Sequence, residues 1–356
     1  MRAARRARIV GDADLRQGRC LEIGPLANPV VSPEVADVRY VDVVDRAGLV
    51  AHYDGDPAVD PDEIPEQHFW LTRPDGTVST LAEAVAADAP YQHVVASHVI
   101  EHVPDVLGWL RDVAEVLTHD GALLLAVPDR RYCFDVHRAP ATVGQVVQAH
   151  LDGDRTPSAR AVLDHFMRAV DYSAEQAWAG EQPPTEGSHP LDDVRRLLAR
   201  QRAGEYVDCH VWPLTPQVFA GLMDDLLALG EVGFAVERIT ATRVGDQEFY
   251  ATLRRLDRRR EPAAAAAEAR SALARIRSAL PDESPSPRSG DTELVPAHVV
   301  ADLEQQLAET RERLMKVRSA RDRARRERDE ARAAATAAEA ADGAGLVGRL
   351  GRRLRR

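Results

Sequence analysis

The strongest constraint on the fold is an alternation in the first half of the chain: short apolar runs bounded by turn residues give way to stretches with apolar residues at helical spacing. Such alternation is the pattern of βαβ units, in which successive strands lie parallel in one sheet with helices on its faces. Candidate strands are 19–23, 38–41, 68–71, 93–97 and 122–127. Between the last two, Val106, Leu110, Val113 and Leu117 share one helix face, and Gly121 is expected to open the next strand. A helix over 216–229 follows later, and 234–243 and 248–253 flank a Val-Gly-Asp-Gln turn, which predicts an antiparallel hairpin closing the sheet. The expected fold class is therefore α/β, a doubly wound, mostly parallel seven-stranded sheet.

The pattern changes twice. Residues 140–215 read as several helices interrupted by Pro and Gly, including 159–170 and 191–202, and are expected to form an inserted helical cap. After about residue 256, Ala, Arg, Glu, Pro and Ser dominate, a composition unsuited to a second mixed core. We expect the sheet domain over 1–256, a linker over 257–297 that contains an Ala-rich helical stretch before the extended PDESPSPRSGD, a coiled-coil helix over 298–341 and a basic amphipathic tail over 342–356. The coiled-coil expectation rests on Val300, Leu307 and Leu314 at one core position and Leu303, Thr310 and Val317 at the other. A single solvated helix held by Glu and Arg pairs is the alternative. In the tail, Leu346, Leu350 and Leu354 recur among arginines, a pattern able to lie on an anionic membrane surface.

Composition excludes several classes. The formal net charge of −11 argues against general nucleic-acid binding, which needs a broad basic face. Cys20, Cys133 and Cys209 lie far apart without a C-x-x-C pair, so no disulfide framework or thiolate metal site is indicated. The basic start MRAARRAR runs into Gly11, Asp12 and Asp14 without the apolar stretch of a signal peptide, and no apolar run is long enough to span a bilayer. We expect a cytoplasmic protein, with membrane contact limited to the inner face through the tail.

The chemistry concentrates where strands end. The first strand runs into LEIGPLANP, placing Glu22, Gly24 and Pro25 at a loop that can lie over a ligand, with Gly24 allowing close backbone approach. Asp42 ends the second strand, where a carboxylate can accept hydrogen bonds from two ribose hydroxyls. The stretch YQHVVASHVIEHVPD puts Ser97 and His98 at the end of a buried strand and Glu101 and His102 in the loop after it. In open α/β sheets this carboxyl edge is the ligand crevice.

Together LEIGP, the acid of VRYVD, ASHVIEHVPD and GALLLAVPDRRYCFD resemble class I S-adenosylmethionine-dependent methyltransferases over about residues 15–256. Within that superfamily they resemble bacterial members that modify surface glycans and sugars. The resemblance implies a Rossmann-like sheet and S-adenosyl-L-methionine as cofactor. It further implies that Glu22, Gly24 and Pro25 line the methionine end, Asp42 holds the ribose, Leu81 and its neighbour Ala82 border the adenine, and Ser97 and His98 lie along the methionine and acceptor side. The chain departs from the family in carrying Leu26 and Asn28 where more glycines are usual, and Gln92 where an aspartate is common.

A sulfonium methyl is already activated, so the protein's task is to align an acceptor in line and remove its proton. For a hydroxyl acceptor, His102 is the first candidate base, from its imidazole chemistry and its likeness to related sugar methyltransferases. Glu101 is expected either to orient it or to bind the acceptor, and His137 and Asp135 beyond the fifth strand are second candidates. His98 to His102 also spells H-x-x-E-H, but Pro104 breaks the helix that a zinc hydrolase motif requires. A metal-free site is expected, with divalent-metal assistance through Glu101 and His102 as the alternative. The sequences around Asp164-His165-Phe166 and Asp208-Cys209-His210-Val211-Trp212 either shape a sugar pocket or seal helices on the sheet.

The expectation is an O-methyltransferase acting on a glycan or sugar-containing intermediate, dimerised or docked to an assembly complex by its coiled coil. A non-catalytic scaffold of the same fold is the competing class. A nicotinamide oxidoreductase is disfavoured because LEIGPLANP lacks the G-x-G-x-x-G spacing that cradles a pyrophosphate.

Overall fold

The structure is a computed structural model that describes residues 2–283 except 58, 74, 258 and 282. Seven strands form one sheet: β1 (Cys20–Ile23), β2 (Val38–Asp42), β3 (Phe69–Trp70), β4 (Tyr91–Ser97), β5 (Leu117–Pro128), β6 (Phe234–Thr240) and β7 (Glu248–Arg255). Their order is β3-β2-β1-β4-β5-β7-β6. The first five strands run parallel, while β7 is antiparallel to both β5 and β6. Ile23, Asp42, Ser97 and Pro128 thus emerge at one edge, and the reversed β7 brings Glu248 opposite Pro128 at that same edge. The central strands are apolar on both faces, as a sheet covered on both sides requires: every residue from Gly121 to Pro128 is buried.

One boundary differs from the sequence reading. The helix carrying Val106 ends at Val116, and Leu117 already belongs to β5, paired with Tyr91 across a register shift. Leu117 is the extended C-cap of that helix, so Gly121 lies inside the strand instead of opening it.

The helices, in chain order, are α1 (Arg2–Val10), α2 (Arg46–His52), α3 (Leu81–Val85), α4 (Val106–Val116), α5 (Val143–Asp152), α6 (Ala159–Arg168), α7 (Ala174–Ala179), α8 (Leu191–Arg202), α9 (Pro216–Ala228) and α10 (Pro262–Ala279). Side-chain N-caps begin many of them: Thr80, Thr142 and Ser173 form capping boxes, and Asp45, Asp105, Ser158 and Thr215 accept from the first turn. Helices α5 to α8 occupy the expected cap. The main core joins β1, β4, β5 and β7 to α3, α4 and α9, and a smaller cluster lies under α1, where Ile9 meets Tyr40, Val95, Leu124 and Tyr250.

The expected linker starts too early. Residues from Pro262 form α10, whose buried Ala265, Ala269 and Leu273 recur every fourth residue, and the last two join the main core where α10 packs on α9 and β6. Arg270 also pairs with Asp224 of α9 at 2.7 Å. Alanine lets α10 approach closely, which is why an Ala-rich segment read as linker is part of the domain. The sheet and its helices form one compact unit through Glu283. The expected coiled coil over 298–341 and tail over 342–356 lie outside the described residues. Among the described residues, no helix is long and apolar enough to cross a membrane.

Candidate active site

At the edge, β1 hands over to a loop through Gly24, whose φ is +62° and whose N–H donates to Val41 O at 2.9 Å. A Cβ there would sit 3.0 Å from Val99 Cγ2, so glycine is required by conformation and by space. Glu22, 1% exposed, does not reach into the crevice as expected. Its two carboxylate oxygens accept the N–H groups of Val30 at 2.6 Å and Val31 at 2.8 Å, and it acts as the clamp that closes the loop. Burial pushes its carboxyl up to about 7 against the pull of those amides. Tyr40 pins the same loop by donating to Val31 O at 2.6 Å. Pro25 is buried within the loop, and its carbonyl accepts from Asn28 N at 3.1 Å. The left-handed position falls on Leu26, at φ +41°, not on Asn28.

Asp42 stands where the sequence placed it, at the end of β2. Burial raises its carboxyl to about 6, opposed by the Val43 N–H that donates to Oδ1 at 2.7 Å. Across β2 and β3 it pairs with Trp70, whose side chain is largely open to solvent and which the sequence reading did not single out. Leu81 departs from its expected place beside the adenine. Its side chain belongs to the core and its N–H donates to Asp112 Oδ2 at 3.1 Å, because α3 packs on α4 there. Arg6 of α1 lies within electrostatic reach of Glu22 and Tyr40, with a buried Nε that has no partner among the described residues.

On the other side of the crevice, β4 ends in Ser97 and His98. His98 holds φ +55°, a strained backbone for a residue with a side chain, and its Nε2 hydrogen-bonds Glu248 at 2.7 Å. Arg5 of α1 donates to Ser97 Oγ at 2.7 Å and to both Glu248 oxygens at 2.7 Å. Burial opposes ionisation of Glu248, but His98 and Arg5 hold it down at about 2. The basic N-terminus, treated in the sequence reading only as a failed signal peptide, is thus part of this edge.

Beyond His98 the chain makes a 3-10 turn, Ile100–His102, not the uninterrupted helix of a zinc hydrolase. Glu101 is fully buried. Its carbonyl accepts from Val211 N at 2.6 Å, while neither carboxylate oxygen has a hydrogen-bond partner among the described residues. Around Oε1 stand His98 Nδ1 at 3.7 Å, His102 Nε2 at 3.9 Å and His210 Nε2 at 4.0 Å. His102 donates from Nδ1 to Asp208 at 2.9 Å. Burial disfavours the charged ring, but Asp208 and Glu101 outweigh it and raise His102. His210 donates from Nδ1 to Asp135 at 2.6 Å, and Arg138 donates to the other Asp135 oxygen at 2.8 Å. Burial notwithstanding, His210 and Arg138 hold Asp135 at about 2. Trp212 Nε1 donates to Val103 O at 2.7 Å and fastens the 208–212 segment to the 101–103 turn.

Of the sequence candidates, His98, Glu101 and His102 come together. His137 does not join them: its Nε2 donates to Pro184 O at 2.7 Å, and it lines a separate cavity of about 310 Å³ with Met167, Arg168, Val170, Thr185 and Gly187. His165 is sealed, pushed down to about 3 by burial, and its Nδ1 accepts from His210 N at 3.3 Å. Asp208 and His210 were recognised in the sequence only as a polar and aromatic cluster. Their approach to His102 needed the fold.

The strand order, with a carboxylate ending the second strand at the carboxyl edge, is that of an open α/β sheet, a class in which ligands bind beyond that edge. The chain belongs to the methyltransferase-domain family, whose description, "Methyltransferase domain", matches residues 3–189. S-adenosylmethionine is its cofactor, and the donor set present fits that group. Asp42 keeps acceptor capacity for ribose hydroxyls, Gly24 presents bare backbone, and Arg6 offers an unpartnered guanidinium nitrogen beside the loop. Among solved structures, the chain is similar to a mitomycin 7-O-methyltransferase, at 12% identity and a TM-score of 0.30, covering 71% of this chain and 53% of that one. A Rhodobacter sphaeroides structure described as a Zn-dependent alcohol dehydrogenase shares 12% identity over 71% of this chain and 89% of its own, with a TM-score of 0.37. A Listeria monocytogenes structure described as an S-adenosylmethionine-dependent methyltransferase shares 12% identity over 71% and 99%, with a TM-score of 0.35. This chain therefore spans about half the length of the mitomycin enzyme. No curated protein sequence matches it. The family assignment rests on the domain match.

Proposed function

We propose that this protein transfers a methyl group from S-adenosylmethionine to a hydroxyl of a glycan or sugar-containing intermediate, with His102 taking the proton. The observation that carries the reading is the cluster of Glu101, His102, His210 and Asp208 at the same strand edge as Gly24 and Asp42. The cofactor supplies a methyl made electrophilic by its sulfonium. The chain's own part is to hold and align. Gly24 and the clamped loop fix one end, Asp42 accepts from the ribose, and Ser97 and His98 border the gap toward the acceptor.

With Nδ1–H donated to Asp208, the His102 ring presents Nε2 toward Glu101 as an acceptor. Asp208 fixes the tautomer and stabilises the imidazolium that forms when the hydroxyl proton arrives. Histidine and carboxylate groups at this edge suit a sugar, which needs polar partners for its hydroxyls. Residues 298–341 are assigned self-association or docking, to be measured by sedimentation of the full chain against one ending at Glu283.

The test is incubation of the purified chain with methyl-labelled cofactor and an extract of cell-envelope intermediates. Label should appear in sugar-containing material and disappear with His102→Ala. Label only in protein or nucleic acid would sink the acceptor assignment. Absence of heat on titration with S-adenosylhomocysteine would favour a scaffold over an enzyme.

A further inference from the structure

We propose that Glu101, His102 and His210 form a site for one divalent transition-metal cation, open toward the acceptor. The starting point is Glu101, fully buried with two carboxylate oxygens that no donor satisfies among the described residues. Burying an unpartnered carboxylate costs several kcal/mol, so a compensating positive group belongs beside it. The neighbours are arranged as ligands. His102 and His210 each give Nδ1–H to a carboxylate, Asp208 at 2.9 Å and Asp135 at 2.6 Å, and each thereby turns its Nε2 lone pair toward Glu101. A carboxylate behind each imidazole is the outer-shell arrangement that orients metal-binding histidines.

The three ligand atoms lie within 4.8 Å of one another. A cation roughly 2.0–2.2 Å from each needs them about 3.4 Å apart, a closure within reach of small side-chain rotations. Two imidazoles and one carboxylate suit Zn²⁺, Co²⁺ or Fe²⁺ and not Mg²⁺ or Ca²⁺, which prefer all-oxygen shells. One wall is rigid, since His210 is 7% exposed and the Glu101 carbonyl is anchored to Val211. The other is open, because the His98 and His102 side chains are each 30% exposed. Free coordination positions would face that opening.

This inference rests on the preceding reading only for an acceptor oxygen reaching the cleft. It replaces the metal-free expectation. With the cation bound, a hydroxyl in an open position would become more acidic and release its proton to solvent, and His102, which takes that proton in the cation-free site, would be a ligand instead.

The experiment uses the full chain stripped by a chelator and titrated with Co²⁺, read by visible absorbance, and with Zn²⁺, read by calorimetry. One equivalent per chain is expected, with a rise in Tm. Asp208→Asn should weaken uptake about tenfold and Glu101→Gln about 100-fold or more. His137→Ala should bind as the parent does. Circular dichroism of each variant separates lost ligands from lost fold. No stoichiometric uptake by the parent chain, or equal uptake by folded Glu101→Gln, overturns the site. Uptake without methylation of any sugar acceptor supports the cation and removes the glycan reading. His102-dependent methylation by stripped protein that takes up no cation does the reverse.

Discussion

The two halves of the crevice are built differently. The side proposed to hold the cofactor comes from consecutive βα units: Gly24, the loop clamped by Glu22, and Asp42 all lie within the first two strands and their connections. The acceptor side is assembled from distant segments, His102 meeting Asp208 106 residues away and His98 meeting Glu248 150 residues away. Local chain geometry therefore fixes the half proposed to hold the cofactor, while long-range contacts set the half proposed to meet the acceptor. Changes on the cofactor side should alter affinity, and changes on the acceptor side should alter turnover.

The largest effect should come from His102→Ala, which is expected to lower kcat about 10²- to 10⁴-fold while S-adenosylhomocysteine affinity by calorimetry stays near the parent value. An equal fall in affinity would erase the division between halves. Asp42→Asn should weaken cofactor binding about 10- to 100-fold with kcat at saturation little changed. A pH signature sharpens this. Burial holds the Asp42 proton up to about 6, well above its unfolded value near 4. The group's contribution to stability thus declines as pH rises through that window, while its ability to accept from ribose grows. Cofactor affinity should climb between about pH 5 and pH 7 in the parent and stay flat in Asp42→Asn.

Glu248 behaves oppositely. Held at about 2, it contributes stability above its unfolded value near 4.5, and that contribution is lost as pH falls toward about 2. Glu248→Gln should cost about 2 kcal/mol at neutral pH by denaturant titration and converge with the parent in acid. A gap that persists in acid would locate the effect elsewhere. Gly24→Ala should cost about 1–2 kcal/mol from the left-handed backbone alone, read as a lower Tm. The smallest effect is expected for Leu26→Gly. Relief at φ +41° and added freedom of the unfolded chain oppose each other, leaving stability within about 1 kcal/mol and affinity intact.

The same contrast explains what the sequence disclosed. Alternating apolar runs revealed all seven strands, most clearly the central ones, whose two faces are both covered, and strand ends pointed to Gly24, Asp42, Ser97 and His98. Residue type alone could not say where a side chain's oxygens go, so Glu22 and Leu81 read as ligand contacts although one clamps a loop and the other packs inward. Gln92, a departure from the family pattern at the start of the fourth strand, does lie there, near the first residue of β4, where Thr118 donates to it at 2.8 Å. No local pattern could announce Arg5 or His210, because helix α1 and the 208–212 segment acquire meaning only where they land.

Helix α10 determines where this molecule can be cut. A fragment stopping at the last strand would leave the groove between α9 and β6 uncovered, stranding the surface that Ala265, Ala269 and Leu273 normally close. Such a fragment should clump in solution, whereas one reaching Glu283 carries its own lid of alanines and keeps the salt link to Asp224. Laboratory truncation, proteolytic trimming and domain grafting all meet the same rule: the natural seam of this catalytic unit lies after the helix, not before it.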